Sequence, residues 1–182
     1  MTGGKMTYNV LDYIRTIPDY PIEGINFYDV NSLFAGPAFS QVITDLVDKV
    51  EDLQNVTHIV GVESRGFVLG AAIAYATDLP FVMVRKKGAK YPGVLLEESY
   101  SLEYGEATLT LQQGLLGHTD RVIITDDLIA TGGSLTATAR LVEQTGATVL
   151  AGLAIIDLAY IDKQLTMPTH CLTTICKDTD DA

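Results

Sequence analysis

The chain has 182 residues, 47% apolar and 19% charged, with 12 Lys and Arg against 23 Asp and Glu for a net charge of −11. That length and hydrophobicity support one folded domain with a sizeable core and argue against disorder. The acid excess argues against nucleic acid or an anionic membrane surface as partner, since both are bound through basic faces, and no apolar run reaches the roughly 18 residues of a membrane span.

Met1 to Thr7 has no apolar run of the kind a signal peptide needs, so a cytoplasmic location is expected. The first 35 residues, with a short helix predicted from Tyr8 to Ile17 and with Pro18, Pro21 and Gly24 beyond it, read as an appendage outside the sheet. From Pro37 to Leu53, Phe39, Val42, Ile43, Leu46, Val47, Val50 and Leu53 recur at the 3-4 spacing of one helix face. An apolar run from Val56 to Val62, a small-residue helix from Gly66 to Thr77 and a second run from Phe81 to Val84 make a βαβ unit. Lys86 to Gly105 mixes charge, Gly and Tyr and is read as a long functional loop. The strand-helix-strand pattern then returns as Val122 to Thr125, about Ser134 to Thr145 stopped by Gly146, and Val149 to Ile156. Two such units imply an α/β fold, a mainly parallel sheet with helices on both faces. Cys171 and Cys176 are expected to be reduced core thiols, and His58, His118 and His170 to be structural.

The chemistry concentrates in residues 121 to 146. A buried strand delivers Asp126 and Asp127, and after three residues Thr131-Gly132-Gly133-Ser134 opens a helix. Glycines let backbone N–H groups approach an oxyanion, hydroxyls donate, and the helix start adds partial positive charge. Neighbouring carboxylates do not suit a bare phosphate but do suit sugar hydroxyls or a divalent cation beside it. A phosphorylated sugar fits both halves. Taken alone, each half has an ordinary structural reading, a turn and a helix N-cap. There is no Walker lysine and no Gly-x-Gly-x-x-Gly spacing, which disfavours a nucleoside triphosphatase or a dinucleotide site.

At these residues the chain resembles the type I phosphoribosyltransferases, whose signature is an apolar strand, two acids and Ala-Thr-Gly-Gly. Thr125 stands where an apolar residue is more usual. The resemblance implies that Ala130, Thr131, Gly132, Gly133 and Ser134 hold the 5′-phosphate of phosphoribosyl pyrophosphate and that Asp126 and Asp127 contact its ribose. Three further segments are similar to the adenine-using branch of that family. IPDYPIEGINFYDV (17 to 30) resembles a hood over the base, which implies that Phe27 and Leu128 sandwich adenine while the Ile25 backbone reads its amino edge. Tyr28 replaces the branch's usual Arg. GVESRGF (61 to 67) resembles the pyrophosphate loop, implying roles for Ser64 and Arg65 and a cis peptide between Glu63 and Ser64. RKKGAKYPGVLLEESYSLEYG (85 to 105) resembles the mobile catalytic loop, with Arg85, Lys86 and Lys90 on pyrophosphate and Glu103 handling a purine ring proton. Between Gly88 and Tyr91 the chain is one residue longer than the branch's usual text.

The resemblance implies a type I fold with residues 1–35 as hood and 36–182 as core, carrying a mobile loop at 86–105. It implies transfer of phosphoribose to adenine, giving AMP and pyrophosphate, with Glu103 and Arg65 as catalytic residues. Mg²⁺ would be held mainly by the cosubstrate and water with Asp126 and Asp127 nearby, and the chain would form a homodimer in which Arg85 crosses to its partner. A transferase for hypoxanthine, guanine or xanthine and a non-catalytic sensor of the same cosubstrate are the alternatives. The overall charge is no obstacle, because five cations (Arg65, Arg85, Lys86, Lys87 and Lys90) face one acid, Asp78, between Arg65 and Lys90.

Overall fold

The computed structural model describes residues 8–101 and 105–176, in two compact units that divide between Val42 and Ile43. In the N-terminal unit a single 3-10 turn (Val10–Tyr13) leads into β1 (Arg15–Ile17), which pairs antiparallel with β2 (Phe27–Asp29), followed by the short helix α1 (Asn31–Phe34). The helix expected from Tyr8 to Ile17 is therefore reduced to one turn. The Asn9 side chain caps that turn by accepting from the Leu11 N–H, and Ile14 is already extended. Arg15 then finds Asp29 directly across the ladder, where the two side chains form an ion pair. That guanidinium holds the Asp29 carboxyl below its ordinary pKa.

Helix α2 (Phe39–Val47) carries the predicted apolar stripe but stops before Leu53. The N–H groups of Lys49 and Val50 reach back only three residues, to Leu46 and Val47, tightening the end. A separate 3-10 turn, Leu53–Asn55, follows.

The C-terminal unit is built on a mixed sheet in the order β10-β9-β7-β3-β4-β6-β5. Its parallel part is β10 (Thr169–Ile175), β9 (Thr148–Leu158), β7 (Arg121–Thr125), β3 (His58–Val62) and β4 (Phe81–Lys86). A two-residue strand, β8 (Leu128–Ile129), runs parallel beside β9. Strand alternation assigns the faces: Val60, Val62, Val82, Val84, Val122 and Ile124 share one core cluster with helix α4 (Gly133–Gln144). The intervening Gly61, Phe81 and Thr125 meet helix α3 (Arg65–Thr77) on the other face. Helices thus cover both faces, as two βαβ units predict.

The stretch read as an irregular loop from Lys86 to Gly105 contains a strand, β5 (Leu95–Ser101). It pairs antiparallel over seven residues with β6 (Glu106–Gln112), which itself pairs with β4. Along β5, Leu96, Glu98 and Tyr100 are half-buried while Glu97, Ser99 and Ser101 are exposed. This is a one-sided strand whose outward residues hid it among charges. Cys171, on β10, is half-buried and its thiol is pushed up to about 12 by burial. Cys176, expected in the core, is exposed because it lies one residue past the end of β10. Among the described residues, no helix is long and apolar enough to cross a membrane.

The contact that positions everything else is the seat of α3. The buried Thr125 hydroxyl lies 3.1 Å from the Gly66 carbonyl and 3.3 Å from that of Val60, donating across to both elements. A Cβ on Gly66 would lie 2.5 Å from the Thr125 carbonyl oxygen, and one on Gly70 2.5 Å from the Phe81 ring. Backbone cannot yield there as a flexible side chain would. Gly66→Ala is accordingly expected to lower stability by about 1–3 kcal/mol through overpacking, seen as a lower urea midpoint; an unchanged midpoint would show that α3 is not seated this closely.

Candidate active site

Strands β3 and β7 are neighbours in the sheet, with Gly61 opposite Thr125. The chain leaves both at the same end, the place where open α/β sheets gather ligands. From β3 come Glu63, Ser64 and then Arg65 at the start of α3; the Glu63–Ser64 peptide is cis. From β7 come Asp126 and Asp127, then β8, then the Ala130–Gly132 turn that opens α4. Glu63, Ser64, Arg65, Asp126, Asp127 and Ser134, with Lys86, Tyr100 and Leu128, line a cavity of about 300 Å³.

Asp126 and Asp127 are both buried. Asp126 Oδ1 accepts the Asp127 N–H at 3.0 Å, and its Oδ2 accepts the Ser134 hydroxyl at 3.1 Å. Burial first, and the charge of Asp127 second, raise the Asp126 pKa well above the ordinary carboxylate range. Asp127 Oδ2 lies 2.7 Å from Arg65 Nε. The pair is ionic without being an aligned hydrogen bond, so this buried oxygen keeps accepting capacity toward the cavity.

A second cavity, of about 170 Å³, is lined by Leu128 through Leu135 together with Tyr100. Gly132 adopts φ +79°, a left-handed conformation that a glycine accommodates, and it turns the chain into α4. The turn is held from behind, since the Thr131 carbonyl accepts the Gln164 N–H at 3.0 Å. All five predicted phosphate residues, Ala130 to Ser134, line this cavity, and Ser134 lines both.

The predicted cations separate. Arg65 and Lys86 line the larger cavity. The Lys86 backbone N–H donates to Glu63 Oε2 at 2.7 Å, which ties the ends of β3 and β4 together. Arg85 turns toward Glu63, 3.6 Å away, and lies 5.6 Å from the centre of the Tyr91 ring. Lys87 is held by Glu97 at 2.6 Å, and Lys90 is exposed. Leu128 lines both cavities. Glu103 lies outside the described residues. In the N-terminal unit, the Phe27 ring meets Tyr20 edge-on at 5.2 Å. There the Ile25 carbonyl accepts the Tyr20 N–H at 3.0 Å and retains a second lone pair. Sequence reasoning missed Glu63 and Tyr100. The position of Glu63 directly before Ser-Arg could have flagged the first; only the strand alternation of β5 could have flagged the second.

Among the described residues no cluster of three or more His, Cys, Asp or Glu could cage a metal ion. A divalent cation here would need oxygens from a ligand.

Known proteins resemble this chain along most of its length. A family profile described as "Phosphoribosyl transferase domain" matches residues 29–167. The adenine phosphoribosyltransferase of Dinoroseobacter shibae is 41% identical over 173 residues, covering 92% of this chain and 96% of that one. The crystal structure of adenine phosphoribosyltransferase from Thermoanaerobacter pseudethanolicus superposes with a TM-score of 0.86 at 35% identity, covering 91% of this chain and 98% of the other. That from Saccharomyces cerevisiae, complexed with an imino-altritol bisphosphate and adenine, gives 0.82 at 35% identity, covering 90% and 96%.

The buried acid pair makes a signed prediction. With its pKa raised on folding, Asp126 binds more proton in the folded than in the unfolded chain. Stability is therefore greatest below the ordinary carboxylate pKa of about 3.9 and declines as pH rises through the raised value. Asp126→Asn keeps an oxygen for the Asp127 N–H and an amide N–H for Ser134 Oγ while removing the charge. Thermal melts should show the variant more stable than the parent at pH 7, by at least about the 2–4 °C that 1 kcal/mol represents in a chain this size, with the gap closing toward pH 4. A gap independent of pH would contradict the assignment.

Proposed function

The chain belongs to the adenine phosphoribosyltransferases, enzymes of purine salvage built on the type I phosphoribosyltransferase fold, and we propose how its own residues divide that reaction. The observation that carries the proposal is the convergence of two strand ends, where Asp127 meets Arg65 at 2.7 Å beside a glycine cradle joined to Asp126 through Ser134. Phosphoribosyl pyrophosphate is a phosphate, a diol and a diphosphate in a row, and the site offers a cradle, an acid pair and a cationic loop in the same order.

Ala130 to Ser134 take the 5′-phosphate with backbone N–H groups and hydroxyls. Asp126 and Asp127 accept from the ribose hydroxyls, which draws proton-donor groups to the acids without adding charge. Ser64, Arg65 and Lys86 meet the diphosphate, joined by Lys90 and, across a homodimer, by Arg85 of the partner chain. For adenine, Phe27 and Leu128 supply the stacking surfaces and the Ile25 carbonyl reads the amine, with residues 1–35 as hood and residues 36–182 as core. The adenine in the yeast structure supports a base subsite of this kind.

In the reaction N9 of adenine forms a bond to C1′ as the bond from C1′ to the diphosphate oxygen breaks, and the electron pair leaves with pyrophosphate. Glu103 takes the purine ring proton from N7, leaving neutral adenine in AMP. Positive charge builds at C1′ in between, and the carboxylates beneath the ribose face it while Arg65 and Lys86 face the departing charge. The unsatisfied capacity of Asp127 Oδ2, and the lack of a protein cage among the described residues, fit Mg²⁺ held mainly by the cosubstrate and water, with Asp126 and Asp127 nearby. When bound, the ion neutralises diphosphate charge. Two free thiols suit work in the reducing cytoplasm.

The test is pyrophosphate release in the presence of phosphoribosyl pyrophosphate, Mg²⁺ and each purine in turn. Adenine should support turnover at least about 10²-fold better than hypoxanthine, guanine or xanthine, the scale on which a site built for an amine rejects an oxygen. Equal turnover with an oxopurine would move the chain to the oxopurine reading, and no turnover with any base would favour a sensor.

A further inference from the structure

Tyr100 has no part in the reaction as assigned, yet it lines both cavities of the site and a third beside them. It lines the cavity of Arg65, Asp126 and Asp127, the phosphate cradle, and a third cavity of about 390 Å³ between β5 and α4. The ring is half-buried against the core and lies over the start of α4, where a Cβ on Gly133 would come within 3.0 Å of Cδ2 and 3.6 Å of Cε2. Gly133 therefore leaves room for the ring at its α-carbon, while its N–H donates to the Thr131 hydroxyl at 3.4 Å. Burial, and then the charge of Asp126, raise the Tyr100 pKa, so the hydroxyl remains a donor at neutral pH near the acid pair.

The ring is held there from two sides. Strand β5 is in register with β6 along its whole length. Two residues before Tyr100, on the same face, Glu98 accepts from Arg140 Nη1 and from Gln144 Nε2, each at 3.2 Å, which clips the strand to α4. A phosphoribosyl group stretched from the cradle to the acid pair must pass the ring. A flat, anchored phenol beside an anion site excludes water on one side and donates an O–H on the other.

We propose that Tyr100 is a further cosubstrate-binding residue, its ring covering the ribose 5-phosphate and its hydroxyl donating to a ribose or phosphate oxygen, with the Glu98 clip to Arg140 and Gln144 as its positioning device. This rests on reading the site as one for phosphoribosyl pyrophosphate. Its consequence is that the strand of the hairpin, and not only the loop beyond it, sets affinity for the sugar.

The experiment is steady-state kinetics of AMP formation by the full chain and by Tyr100→Leu, Tyr100→Phe and Glu98→Ala. Leucine keeps the apolar volume against the core, so folding is preserved and checked by the thermal midpoint. Tyr100→Leu should raise the KM for phosphoribosyl pyrophosphate about tenfold or more, the scale of a hydrogen bond to a charged group, with the KM for adenine unchanged. It should also increase pyrophosphate release in the absence of adenine, as water reaches C1′. Tyr100→Phe, which retains the cover, should show the KM change without the added hydrolysis, and Glu98→Ala a smaller rise in the same KM. A Tyr100→Leu enzyme with a cosubstrate KM within about twofold of the parent would overturn the proposal, while AMP formation by the parent chain would leave the reading of the site standing.

Discussion

Two carboxylates side by side at a buried strand end repel each other and lose their hydration, and burial of that kind persists only where partners compensate it. Here the compensation is Arg65 at 2.7 Å and the hydroxyl of Ser134 at 3.1 Å. Each partner begins a helix, and so the requirement to face the acids dictates where α3 and α4 start. For α3 it dictates the sequence as well. Arg65 can reach Asp127 only if the helix lies on β7 at the distance that Gly66 and Gly70 allow. The Thr125 hydroxyl then bonds the helix start to the strand that carries the acids.

The same arrangement explains how an acidic chain handles an anionic cosubstrate. The net charge of −11 repels extended polyanions, while Arg65 and Lys86 give the cavity that holds the two acids a confined basic component. The acids are partly self-cancelling, because Asp126 is driven toward its protonated form. A sugar that donates hydroxyls to this pair and presents a diphosphate to the two cations meets complementary groups at both ends.

Four strands of the parallel core, β3, β4, β7 and β9, were legible in the sequence because they read as apolar runs, whereas β10, with Thr169, His170, Thr173 and Thr174 in its sequence and no fully buried residue, was not. The cradle was legible because Asp-Asp, Thr-Gly-Gly-Ser and a following apolar helix each have a local physical meaning. What was not legible depends on distant partners. Arg15 to Ile17 continued a helical pattern and became a strand because Phe27–Asp29 lies across from it. Leu95 to Ser101 looked like charged loop, since Glu97 and Glu98 are satisfied by Lys87 and Arg140, far away in sequence or on another element. Tyr100 reaches the site only because that strand pairs with β6. Thr125, a departure from the usual apolar residue, proved to be hydrogen-bonded to the neighbouring elements.

The proposed reaction requires the two strand ends to hold one phosphoribosyl group between them. A crystal structure of the chain with phosphoribosyl pyrophosphate and Mg²⁺ measures this directly. The 5′-phosphate should lie on the N–H groups of Thr131 to Ser134, the ribose hydroxyls within hydrogen-bond reach of Asp126 and Asp127, and the diphosphate against Ser64 and Arg65. A sugar bound without contact to either aspartate, or a cradle left without its phosphate, would contradict it.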